Sequence, residues 1–187
     1  LSYIDEYNKI SPNSPLTYQM RALVYEEQGD EFNAHLNWGK YNITRQNRDI
    51  AINEFLNAIQ IKDDDIDLLF TLAALLTENG EVNHAAEYYE KIIKLDSKNK
   101  EALQKLAAFR EGIGDYKMQV TYLEKIVEID SKDLTALKNL ARAYERIKAN
   151  RQAIDTYNRY LELVKDPVDY KMAKERLDKL DSLGSSD

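Results

Sequence analysis

The chain contains no cysteine, only two histidines and no surplus of positive charge. The first absence excludes disulfides, thiolate zinc sites and cysteine nucleophiles. The second leaves little material for histidine-based metal or acid–base chemistry. Lys and Arg number 26 against 33 Asp and Glu, a formal net charge of −7. Nucleic acid is therefore excluded as the expected partner, because phosphate neutralisation needs clustered Lys and Arg. No apolar run approaches the roughly 18 to 20 residues a membrane helix needs, so membrane insertion is not expected. No secretory signal is visible. The first residue is Leu1 rather than Met, as in a processed form or an excised fragment. The compartment reads as cytoplasmic by default, or periplasmic if the chain is processed.

What the chain has is repetition. Tyr88–Leu103 and Tyr122–Leu137 are offset by 34 residues and share 9 of 16 positions. Extending that frame gives four blocks, Phe32–Asp65, Ile66–Asn99, Lys100–Asp133 and Leu134–Pro167. Each block reads as two amphipathic helices joined by a tight turn. In the second, Leu69, Leu72, Ala73 and Leu76 recur at three- and four-residue steps and mark one helical face. Asn79-Gly80 ends that helix where a positive φ is needed. Ala85, Tyr89, Ile92 and Ile93 mark the partner. Asp65, Asn99 and Asp133 end their blocks and are placed to cap the next helix. Asp166-Pro167 does the same at the last junction. Face, turn and cap share one period.

These residues resemble the tetratricopeptide repeat family. The pattern of a large apolar residue, Leu, a small residue and an aromatic appears as Leu69, Leu72 and Ala73 in the second block. It appears as Leu137, Leu140, Ala141 and Tyr144 in the fourth. The second-helix pattern appears as Ala51, Phe55 and Ala58, as Ala85 and Tyr89, and as Ala153 and Tyr157. Gly39, Ala73, Ala107 and Ala141 are the small residues that let a facing helix approach. The third block departs from the pattern with Gln119 in place of Ala and Arg110 in place of an aromatic. The resemblance implies an all-α fold, an α-α superhelix in the form of a right-handed solenoid of helix-turn-helix repeats.

The ends are read from the same frame. Residues 1–31 form a degenerate leading pair, Leu1–Ile10 and Pro15–Gln28. Pro15–Arg48 can also be framed as a repeat, so that a helix near Glu31–Gln46 serves in either role. Residues 168–183 form a capping helix whose face is Tyr170, Ala173, Leu177 and Leu180, and 184–187 form a disordered tail.

Signs of catalysis are lacking. His35 and His84 read as ordinary surface or half-buried side chains. An EF-hand beginning at Asp63 would need Gly and Glu where Leu68 and Ala74 stand. Gly112-Ile113-Gly114 is a turn, with neither the preceding strand nor the following Lys of a phosphate loop. No enzyme activity, cofactor or metal is expected. Tyr89 and Tyr157 share a repeat position and read as packing residues.

The resemblance implies that first helices line a concave groove. Its slots carry Asn37 and Lys40 in the first block, Phe70 and Thr71 in the second, Lys105 in the third, and Lys138, Asn139 and Arg142 in the fourth. The expected partner is a protein or peptide with an apolar anchor near Phe70 and an acidic group near Lys138 and Arg142. The two-carboxylate clamp of chaperone-binding members is matched only in pieces, by Lys138-Asn139 and Arg142. The expected function is an interaction scaffold or adaptor. The alternatives are a substrate-recruiting or regulatory segment of a larger enzyme, and a self-assembling scaffold or homo-oligomer.

Overall fold

The computed structural model describes residues 13–184. Ten helices follow one another among the described residues: α1 Pro15–Gln28, α2 Glu31–Thr44, α3 Arg48–Ile61, α4 Ile66–Glu78, α5 Val82–Leu95, α6 Lys100–Gly112, α7 Tyr116–Ile129, α8 Leu134–Arg146, α9 Asn150–Leu163 and α10 Pro167–Gly184. No strand occurs among the described residues. The chain divides into two compact units, one ending at Leu95 and the other beginning at Asp96. In each, every helix packs on the next. This is the α-α solenoid class the sequence implied.

The caps act where the period put them. Asp65, Asn99 and Asp133 accept from the N–H groups of Leu68, Ala102 and Ala136 at 3.0, 3.1 and 2.9 Å. Asp166 accepts from Val168 and Asp169 at 3.0 and 2.8 Å. Each such bond satisfies a donor that the first helical turn leaves without an intrahelical partner. Gly80 has φ +84°, and the N–H of Glu81 returns to the carbonyl of Leu76 at 2.8 Å. This left-handed stop reverses the chain so that α5 lies back on α4.

In the first unit α4 is apolar almost all round. Leu68, Leu69, Leu72, Ala73, Leu75 and Leu76 are all buried, because α3 covers one side and α5 the other. Each fully buried leucine contributes roughly 2 kcal/mol of transfer free energy. Helix α2 packs on both α1 and α3, so the helix that the sequence allowed in two roles contacts both neighbours. Gly39 is buried there, and a Cβ added to it would lie 2.3 Å from Cε1 of Phe55. Tyr89 and Tyr157 are buried.

In the second unit α10 packs on α9 through Ala173, Leu177 and Leu180, as the sequence pattern implied. Tyr170 does not join them: it is 46% exposed. One residue earlier, about 100° round the helix, Asp169 bonds to Lys138 and Tyr160 instead. Gly184 belongs to α10. Leu1–Ile10 and the tail beyond Gly184 lie outside the described residues.

Candidate functional site

The expected groove residues fall in both units. In the first, Asn37 is 5% exposed, and its amide donates to the carbonyl of Asn33 at 2.7 Å. That bond turns the amide back on its own helix, a common resolution for a short amide inside a helix. Lys40 is half-buried on α2. Phe70 packs edge-on against Tyr89 with ring centroids 5.8 Å apart. The Thr71 hydroxyl donates to the carbonyl of Asp67 at 2.8 Å.

The second unit gathers its residues more closely. Lys138, Asn139 and Arg142, successive turns of α8, line a cleft closed by the α9–α10 connection and α10, with Leu134, Leu163 and Asp169. A smaller, partly open space of ≈ 90 Å³ lies beside it. There Lys138 and Arg142 meet Arg176, Tyr157 and Met172. Lys105, exposed on α6, stands outside both.

The electrostatics of the cleft are uneven. Lys138 Nζ lies 2.6 Å from Asp169 Oδ1. That bond holds the Asp169 carboxyl below its usual range, against partial desolvation and with help from the Tyr160 hydroxyl. Tyr160 itself is pushed up to about 12, first by burial and then by Asp169. Arg176 pairs with Glu145 at 2.8 Å, and Glu145 also accepts from the Tyr157 hydroxyl. Arg142 is exposed and has no acidic partner among the described residues. Asp169 and Arg176 were not singled out in the sequence, where each looks like an ordinary charge on a capping helix.

A second cleft of ≈ 260 Å³ separates α6 from α8 over a floor of α7. Gln104, Ala108, Thr135 and Asn139 line its walls. At one end Lys100 ties the two helices, with Nζ 2.7 Å from Asp133 and 3.1 Å from Asp130. Burial acts to raise the Asp133 pKa. Lys100 and the Ala136 N–H outweigh it, so the carboxyl stays below its usual value. Lys100 is raised by the two carboxylates. A carboxyl depressed on folding adds stability above its unfolded pKa and loses it as pH falls through the folded value. Stability of the second unit is therefore expected to fall as pH drops through and below the ordinary carboxylate range. Asp133→Asn, which keeps a capping oxygen, should flatten that dependence in urea melts at successive pH values.

Three successive helix pairs carry the same caps and packing, and their sequences decide the family. Tetratricopeptide repeat models match residues 66–99, 100–133 and 136–169. The chain belongs to the tetratricopeptide repeat family. Tetratricopeptide repeats are protein-interaction modules, and in that general sense the chain is an interaction scaffold. A MamA protein superposes with a TM-score of 0.63 at 17% identity, over 82% of this chain and 88% of that one. A MamA fragment from Desulfovibrio magneticus RS-1, beginning at its residue 41, gives 0.59 at 21% identity over 84% and 97%. YrrB, described as a TPR protein with an unusual peptide-binding site, gives 0.62 at 14% identity over 92% and 97%. At such identities the likeness is one of fold alone. No curated protein sequence matches the chain significantly. No helix among the described residues is long and apolar enough to cross a membrane.

Proposed function

We propose that the second unit holds a segment of another protein against α8, with an acidic group of that segment at Lys138, Asn139 and Arg142. The observation that carries this reading is the pair of unlike cations one helical turn apart. Lys138 already holds one carboxylate, that of Asp169, at 2.6 Å. Arg142, four residues on and therefore on the same face, has no acidic partner among the described residues. An incoming acid can take a forked bond from the Arg142 guanidinium and compete with Asp169 for Lys138. Leu134 and Leu163 on the same cleft give an apolar neighbour of that acid a place to rest. A peptide-binding site in YrrB, which shares the fold, is consistent with this use of the scaffold.

Binding of a labelled peptide of alternating leucine and glutamate to the full chain tests the reading. Arg142→Glu is expected to weaken binding about 5–10-fold, the effect of reversing an exposed charge worth about 1 kcal/mol. Asp169→Asn removes the resident competitor and is expected to tighten it. Both effects should shrink at high salt. Affinities unchanged in both variants would contradict the proposal.

A further inference from the structure

The four helix pairs place equivalent residues 34 positions apart, and at one second-helix position three of the four are alanine: Ala51, Ala85 and Ala153. All three are fully or almost fully buried. The third pair has Gln119 there instead. Gln119 is only 4% exposed, yet no hydrogen bond forms to its side chain among the described residues. It belongs to the lining of the ≈ 260 Å³ cleft between α6 and α8. Its amide is not among the fully buried polar atoms that lack a partner, so the carboxamide keeps an opening to the cleft, where its two donors and its acceptor are available to a ligand. The three alanines show that the packing itself does not call for an amide.

We infer that this cleft is a side-chain pocket for a tyrosine of the bound partner segment, with Gln119 as the residue that reads the phenol hydroxyl. Ala107, Ala108, Ala136, Leu123 and Ile126 supply apolar surface for an aromatic ring. Among the described residues that line the cleft there is no Lys or Arg to pair an anionic tip. Glu111 at the lining repels an anionic tip. A neutral tip that both donates and accepts suits the carboxamide. Thr135 and Asn139 line both this pocket and the cationic cleft, so one segment can use the two together. The inference rests on the reading that the second unit holds a protein segment, but its chemistry is separate from the acidic group.

The test uses p-cresol and toluene, the side-chain analogues of tyrosine and phenylalanine, titrated into the full chain and followed by methyl NMR. Both are expected to shift the methyl groups of Ala107, Ala108 and Ala136. In the wild type p-cresol should bind about 3–10-fold more tightly than toluene, as one neutral hydrogen bond provides. In Gln119→Ala, which copies the other three pairs, the ratio should fall to about 1. Gln119→Leu, similar in size but apolar, should favour toluene. An equal ratio in the wild type and Gln119→Ala, shifts confined to other parts of the chain, or no shifts would overturn the inference. Because p-cresol has no charge, Arg142→Glu should leave its binding unchanged. Failure of the acidic-group reading would thus show in the peptide alone, and failure of the tyrosine pocket in p-cresol alone.

Discussion

Gly39→Leu is expected to destabilise the first unit by about 3 kcal/mol or more, near the upper end of overpacking costs. The backbone of α2 at Gly39 sits against the ring of Phe55 on α3, and even a single added carbon would lie 2.3 Å from that ring. Phe55 is fully buried, so the ring has no free space into which to turn. Gly39→Ala separates the two competing effects. Alanine favours a helix over glycine by about 1 kcal/mol, whereas overpacking costs about 1–3 kcal/mol. The clash should win, leaving a net loss of up to about 2 kcal/mol. Adding Phe55→Leu should recover part of it, so the double variant is less damaged than the two single losses combined. Trp38, the only tryptophan, adjoins Gly39 and reports unfolding of this unit in urea. A more stable Gly39→Ala would mean that the helices do not meet as described.

The second large effect concerns Tyr157. Its ring is 1% exposed, and its hydroxyl bonds to Glu145, which also holds Arg176 of α10. Tyr157→Ala should cost about 3–5 kcal/mol, the usual range for removing a buried aromatic. It should also release the contact through which α8, α9 and α10 meet. Amide exchange in α10 is then expected to quicken more than in α6 or α7. Tyr157→Phe keeps the ring and loses one hydrogen bond to a charged group, which contributes about 1.5–3 kcal/mol. Arg176 still partners Glu145, so the loss should sit at the low end. Equal damage from Phe and Ala would move the weight from packing to the hydroxyl.

The sequence made the repeats legible because three signals shared a period. Leu72, Gly80 and Asp65 each follow from local rules, and the structure uses each in that role. The packed face of α10 was legible at Ala173, Leu177 and Leu180 but not at its start. A hydrophobic reading prefers Tyr170, whereas the structure gives the place to Asp169 because Lys138 lies opposite. Apolar periodicity carries no mark for an acid whose partner is 31 residues away. The side-chain bond of Asn37 is hidden from the sequence for a related reason. A groove slot fixes where a residue sits, while a short amide can still bond its own helix. Gln119 stood out in the sequence as a departure from alanine. Its unpaired amide and the cleft beside it depend on how α6, α7 and α8 pack.

The proposed seat of a partner's acidic group is α8. This placement is tested most directly by titrating the leucine–glutamate peptide into the isotopically labelled full chain and mapping amide and side-chain shifts. The largest changes are expected from Thr135 to Arg142, with Asp169 moving as Lys138 exchanges one carboxylate for another. Saturable binding that leaves those resonances in place and shifts others would contradict it.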